Sequence, residues 1–527
     1  MSKGKRLVLP ALVAGLATIL MGGCGSGMGG GNQNTTSGPT GSVVVFGTDQ
    51  PSCDVESFMV TISAASLVGG TTSATLTPPS GPVDFAGLVD FTNILSFGSV
   101  TSGTYNELDL TLTTPVLTYL NTSVSPPAAV TLPSCSAATT TNCTYFSNYT
   151  PGSSTAPVNT ITLNLLFSPP LVVPTSTTTT GTTVGFALDF DMRDSVQTGT
   201  NGLITGVVDP QVSITQTTLP AEADTLYGLV ATPTTACTAN SSITGDFGCF
   251  SLQVQGGVGQ ILTIQLTSTT DFEGDITPTG TGATAVPAAL TTAGTFVEVD
   301  ATIDTSGDII ATEVDGEEQT ASSSSPAGFL GEIIGVTRAS DGVTATGFNL
   351  LVGHETRDVT SEVPLQSSLA VTLADTTRYW TNWHHWNRES LQFGPQTLGP
   401  AQKVAVFGTL QAGTPPTLAG GFVFLRQRNV LGTFVAKAAV GSDNSTGGFT
   451  MQPCGPLFLG QTITVLTFGD GRWRDLGGLS ALTPGPIIDV AGLLFYEQSS
   501  GSANGVSWTV PPNTWVLETK VVHQLPQ

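Results

Sequence analysis

Across 527 residues, no long window carries the 3.6-residue apolar periodicity of an amphipathic helix. The chain offers instead short runs of Val, Ile, Leu, Phe and Thr, cut off from one another by Gly, Pro or Asn. Val and Thr fit a pleated surface, while the 62 Gly and 33 Pro weaken helices and turn the chain. A chain of this kind buries itself sheet against sheet, so the expected fold is all-β. Its length exceeds one ordinary domain and suggests about three or four. Hydrophobic residues make up 39% and the mean hydropathy is positive, which is enough apolar material for several cores.

Charged residues are only 10% of the chain, with 15 Lys and Arg against 38 Asp and Glu, a net charge of −23. Three of the cations, Lys3, Lys5 and Arg6, lie in a segment expected to be removed; 12 then face 38, giving −26. Neutralising phosphates takes clustered Lys and Arg, and no such cluster is present, so nucleic acid is not an expected partner. The acidic residues are dispersed along the chain and read as solubilising charge.

Lys3, Lys5 and Arg6 precede an apolar run from Leu7 to Met21, followed by Gly22-Gly23-Cys24. Basic, apolar, then small is the layout of a secretory signal over 1–23, and the run is short for a transmembrane helix of about 20 residues. Leu20-Met21-Gly22-Gly23-Cys24 resembles the bacterial lipobox, although Met21 stands where Leu is usual. The resemblance implies lipid attachment at Cys24. Gly25, in place of the Asp associated with inner-membrane retention, implies the outer membrane, with the surface or periplasmic face left open. An ordinary secretory signal with an incidental cysteine is the competing reading. Residues 24–41 would then be the lipidated cysteine and a Gly/Ser/Thr/Asn-rich tether with a reach of about 20–25 Å. On this reading the chain meets the membrane through its lipid alone.

Six further cysteines remain, an even number that suits disulfides in an exported protein. Cys135 and Cys143 flank a polar loop, and Cys237 and Cys249 flank a hairpin-like insertion; these are the two expected pairs. Cys53 and Cys454 are far apart in sequence and expected in different domains, so no pairing is assigned to them.

The first body is expected over 42–220 as a β-sandwich. Its strands read as Val43–Phe46, Phe58–Ala64, Leu108–Leu112, Thr160–Phe167, Gly185–Asp191 and Val212–Thr217. Asn201-Gly202 marks a tight turn, and the Pro/Thr/Ser-rich stretches 121–158 and 168–183 read as loops. Several segments follow one another along this region: Val43 to Pro51, Val55 to Ile62, Val83-Asp84-Phe85, Ser102-Gly103-Thr104-Tyr105 and Leu188-Asp189-Phe190-Asp191. That order resembles the bacterial and archaeal family named domain of unknown function 4382, often found in exported lipoproteins. The family implies no chemistry.

The remainder reads as repeats. Gly228, Gly331 and Gly432 each follow an apolar pair or triplet, at steps of 103 and 101 residues. After each come an alternating strand (Phe250–Val254, Phe348–Val352, Phe449–Met451) and a second (Leu262–Leu266, Leu369–Leu373, Ile463–Leu466). A third follows (Phe296–Ala301, Val404–Gly408, Ile488–Gly492), then a last (Ile309–Val314, Phe422–Leu425, Trp515–Val521). About three small OB-like β-barrels are expected, over 225–320, 328–428 and 430–527. These units resemble a second uncharacterised bacterial family, domain of unknown function 5666.

The most unusual stretch is 378–388, which holds three of the six Trp and two of the four His. Tyr379, Trp380, Trp383, His384, His385, Trp386 and Arg388 could stack on and hydrogen-bond a polysaccharide or an envelope protein. The plainer reading is a loop that packs against a neighbouring body. Adjacent His384 and His385 do not converge on one ion, so no metal site is assigned. His354-Glu355 with Asp358 lacks both the last ligand and the helix of a zinc-protease motif. Asp300, Asp304 and Asp308 read as a polar hairpin, and Asp189, Asp191 and Asp194 as solvated strand-end charges. With no nucleophile elbow and no phosphate loop, no catalytic residue and no cofactor are nominated. The leading expectation is a non-enzymatic envelope lipoprotein of structural, adhesive or binding role. A carbohydrate-binding surface protein and a cryptic hydrolase are the alternatives.

Overall fold

A computed structural model describes residues 40–527 apart from 51, 71, 80, 89–92, 122, 125–126, 137–140, 149–158, 176–182, 200–202, 233–236, 255–260, 275, 317–326, 356–362, 382–390, 469–470, 475, 497, 499–500, 504–505, 510–513 and 526–527. Its first strand, β1 (Thr40–Gln50), carries four apolar residues in succession, Val43 to Phe46, all buried. A strand with one face in water alternates; a continuous apolar run implies that both faces are covered. Val43 and Val45 belong to the core of a sandwich, while Val44 and Phe46 join the core of the ring of strands that follows it.

The sandwich continues with β2 (Ser57–Val68), β3 (Ser73–Leu76), β4 (Val83–Asp84), β5 (Asn93–Thr101), β6 (Gly103–Asn121), β7 (Ala128–Leu132), β8 (Tyr145–Phe146), β9 (Thr160–Val173), β10 (Thr183–Asp191), β11 (Val196–Thr198), β12 (Ile204–Val208) and β13 (Val212–Thr217). One sheet has the order β13-β10-β1-β5, parallel only between β1 and β10. The other runs β3-β2-β6-β7, with β4 beside β2 and β9 beside β6. Phe190 meets Phe58 and Phe85 at ring separations of 5.2 and 5.0 Å, filling the space between the sheets. A small third sheet, β11-β12-β8, holds the hairpin on either side of Asn201-Gly202.

Two stretches expected as loops contain strands. β7 and β8 fall within 121–158, and β9 runs on past Phe167 to Val173. Ser168-Pro169-Pro170 is accommodated because the register with β6 skips from Leu166 to Leu171, a bulge in which Pro loses no ladder bond. Among the described residues the one α-helix is Met192–Ser195, capped by the Asp191 carboxylate accepting from the Asp194 N–H at 3.0 Å.

Next come β14 (Ala221–Ala231), β15 (Asp246–Val254), β16 (Ile261–Thr267), β17 (Asp271–Gly274), β18 (Phe296–Ile303) and β19 (Ile309–Gly316). The order β14-β15-β16-β19-β18 closes back on β14, and only β16–β19 is parallel. With β20 (Ala327–Arg338), β21 (Ala345–Glu355), β22 (Ser368–Thr381), β23 (Lys403–Gln411) and β24 (Thr417–Val440) the circuit recurs as β20-β21-β22-β24-β23, parallel only at β22–β24. It recurs again with β25 (Gly447–Pro453), β26 (Ile463–Thr467), β27 (Arg472–Arg474), β28 (Ile487–Tyr496), the hairpin β29 (Gly501–Ala503) and β30 (Val506–Trp508), and β31 (Trp515–Gln524). There the order is β24-β25-β26-β31-β28, closing on β24 and parallel only at β26–β31. β24 therefore serves twice: its first half completes the second ring and its second half opens the third. The break expected between 428 and 430 falls inside this continuous strand.

Gly228, Gly331 and Gly432 occupy one position in the three rings. Each is paired on both sides, with Val254 and Val297, Val352 and Val404, and Pro453 and Ile488 respectively. A Cβ there would stand 2.4, 2.0 and 2.3 Å from the carbonyl oxygens of Gln253, Leu351 and Gln452. Only Gly lets the first strand coil that closely onto the second.

The bodies share cores. Leu466, Phe468, Leu493, Phe495 and Val516 of the third ring pack into the core of the second, and Leu120 of β6 packs into that of the third. Residues 39–527 accordingly form one compact unit. Cys135–Cys143 and Cys237–Cys249 are bonded as their spacing suggests. Cys53 and Cys454, to which the sequence assigned no pairing, are bonded too, with Cα atoms 5.4 Å apart. The third ring folds back onto the segment between β1 and β2, a long-range contact that spacing along the chain does not encode.

Candidate functional site

The Trp-rich stretch begins at the end of β22. After the main part of this strand, Thr377 turns the chain: its hydroxyl accepts from the Ala374 N–H at 2.9 Å and donates to the Gly420 carbonyl at 2.8 Å. Thr270 does the same in the first ring, accepting from the Thr267 N–H and donating to the Ala311 carbonyl at 2.9 and 2.8 Å. The extension that follows, Arg378 to Thr381, pairs with Phe422 to Leu425 of β24 and obeys the two-residue alternation of a strand. Tyr379 and Thr381 turn inward, Tyr379 edge-on to Phe393 at 5.9 Å, with burial pushing its hydroxyl up to about 12. Arg378 and Trp380 turn outward; Arg378 lies over Phe422 at 5.4 Å, and Trp380 is 50% exposed. Tyr379 is thus a packing residue, whereas Trp380 presents an aromatic surface to solvent. Trp383, His384, His385, Trp386 and Arg388 lie outside the described residues.

A second site was not apparent in the sequence. A cavity of about 230 Å³ opens where the segment before β2, the second ring and the third ring meet, lined by Glu56, Asp84, Glu332, Gln366, Lys403 and Arg428 beside the Cys53–Cys454 bond. Strand register builds it. Glu332 on β20 is directly opposite Lys403 on β23, which is opposite Arg426 on β24, so three charges form a row across adjacent strands. Arg426 is ion-paired with Glu298 of the first ring, and its side chain is only 5% exposed. Arg428 is ion-paired with Glu332, donates to the Ala401 carbonyl and lies over Phe458 at 5.4 Å. Asp84 accepts from the Ser57 hydroxyl at 2.7 Å, the Phe58 N–H at 2.8 Å and the Gln366 amide at 3.4 Å, the last reaching across from the second ring.

Glu56 completes the cluster. Its side chain keeps some surface open to the cavity yet sits deep among protein atoms. Burial drives its carboxyl well above the ordinary value of 4.5; the Glu332 charge and a hydrogen bond to Glu332 push the same way, and Arg428 opposes them. A neutral Glu56 can donate to the Glu332 carboxylate. Burial also lowers the Lys403 ammonium from 10.5 to about 8, against the pull of Glu298. Buried ions of this kind contribute little net stability over an apolar core, but removing one partner costs about 3–5 kcal/mol. The cluster therefore fixes how the bodies register against each other, and it can take up or release a proton.

The available signal lay in lone charges set within apolar strands: Gly331-Glu332-Ile333, Lys403-Val404, and Arg426 and Arg428 between Leu425 and Val430. In a chain with 15 Lys and Arg, three on two adjacent strands are a notable concentration. Elsewhere the acidic candidates are structural. Asp304 accepts from the Ser306 and Asp308 N–H groups at 2.8 and 2.9 Å, closing a polar hairpin, and His354 and Glu355 lie on strand β21. Among the described residues no group of three or more His, Cys, Asp or Glu could hold a metal ion.

Residues 40–205 match the model of the family described as Domain of unknown function (DUF4382). No curated protein matches the chain. A solved structure titled "drosophila Unr CSD456" is similar at 12% identity, covering 57% of this chain and 97% of that one. Its TM-score is 0.13, and the likeness carries no argument about fold or function.

Proposed function

We infer that this chain is an exported cell-envelope protein with a non-enzymatic structural, adhesive or binding role. The observation that carries the reading is the bond between Cys53 and Cys454, which joins the sandwich to the third ring. With Cys135–Cys143 and Cys237–Cys249, it brings all six cysteines beyond Cys24 into disulfides. Disulfides at this density belong to an oxidising compartment, which agrees with the signal-like segment 1–23 and with lipid attachment at Cys24 to the outer membrane. The resemblance of the rings to the family numbered 5666, and the match to the family numbered 4382, add no chemistry to this picture. Fractionation with mass analysis of the N-terminus tests it: lipidated Cys24 in the envelope is expected, and a cytoplasmic chain beginning at Met1 contradicts it. Purified mature protein should show no turnover on polymer or ester substrates; turnover on any of them would overturn the non-enzymatic assignment.

A second reading has its own observation. The half-exposed Trp380 ring beside Arg378 offers the flat apolar surface and flanking donor that the faces and hydroxyls of a polysaccharide require. Trp380→Ala should weaken retention on immobilised glycans at least tenfold while leaving thermal stability nearly unchanged. Equal retention by the variant would end this reading.

A further inference from the structure

We propose that the contact between Glu56 and Glu332 is a proton-operated latch that holds the sandwich against the second and third rings and releases that seam when Glu56 loses its proton. The two side chains belong to different bodies, Glu56 to the segment leading into β2 and Glu332 to β20, and both line the cavity at the seam. While Glu56 is protonated it is held to Glu332 by a hydrogen bond; once ionised it is repelled by the Glu332 charge in a poorly solvated space. Every charged group facing Glu56 is accounted for in the cavity. Asp54, on its own segment, and Glu332 oppose its ionisation, and Arg428 of β24 favours it. Asp84 of β4 and Lys403 of β23 complete the lining, Asp84 held by Ser57, Phe58 and Gln366.

The direction follows from the burial of Glu56. Its folded value is raised above 4.5, so the folded chain binds the extra proton. The latch then contributes fully below about 4.5 and is lost as the pH climbs through the raised value. Cys53 and Cys454 line the same cavity, so the disulfide keeps the bodies tethered while the latch is open, and its accessibility reports on the seam.

The test uses the full mature chain, reduced by a water-soluble phosphine from pH 5 to 9. Reduction of Cys53–Cys454 is followed by mass spectrometry relative to that of Cys237–Cys249, which cancels the pH dependence of the reagent. The ratio is expected to rise with pH in the wild type, by up to about tenfold per unit, the most that loss of one proton gives. It is expected to stay flat in Glu56→Gln, which removes the titrating carboxyl, and to rise more shallowly in Glu332→Gln, where burial still raises Glu56 but no carboxylate faces it. A flat ratio in the wild type overturns the proposal, as does a wild-type rise that persists in Glu56→Gln. Should Glu56→Gln misfold, Glu332→Gln decides: a slope equal to that of the wild type overturns the proposal, since it then comes from another group of the cavity such as Lys403, lowered to about 8.

Discussion

Gly432 meets two strands at once, and a Cβ on it would stand 2.3 Å from the Gln452 carbonyl oxygen and 2.6 Å from the Met451 methyl. The thioether can move; the carbonyl belongs to a ladder and cannot move without breaking it. Gly432→Ala should therefore cost at least about 1–3 kcal/mol, the range for overpacking a tight interior, read as a lower urea midpoint. An unchanged midpoint would mean that the ring does not close as described. This position was legible because the backbone constraint recurs, leaving Gly in the same local pattern three times. Glu56 was not legible. Its surroundings come from β20 and β24, and nothing near it in sequence distinguishes it from the dispersed acidic residues that solvate the surface.

At the level of elements, the alternating runs located most strands, because a half-buried strand writes its period directly into the sequence. β24 is the instructive failure. The boundary expected between 428 and 430 lies in the interior of a 24-residue strand, where the polar side chains Arg426 and Arg428 find Glu298 and Glu332. Polarity marks a linker only when the partners are water, and here the partners are other strands. The end of β22 allows a direct test of how an element is positioned. Thr377→Val keeps the shape but removes a hydroxyl that satisfies both the Ala374 N–H and the Gly420 carbonyl. Leaving those groups buried and unpaired should cost about 1–3 kcal/mol. The loss should appear in hydrogen exchange as faster exchange confined first to Arg378–Thr381, carrying the Trp380 surface with it. Uniform loss of protection across the ring would contradict the local role.

For the whole molecule, the sequence suggested a string of separate domains, whereas residues 39–527 form one compact unit. The difference comes from long-range contacts: shared cores between the rings, the Asp84–Gln366 contact and the bond between Cys53 and Cys454. That bond closes a loop of 401 residues, and in the chain-entropy account a loop so long removes far more disorder from the unfolded chain than the 8- and 12-residue separations of the other two. The central claim, an exported β protein whose first body is covalently joined to its last, is tested most directly by peptide mapping without reduction of protein recovered from the cell envelope. The account predicts three linked peptide pairs, Cys53 with Cys454, Cys135 with Cys143 and Cys237 with Cys249, and no free thiol among them. Free thiols at Cys53 and Cys454, or either one bonded elsewhere, would contradict it.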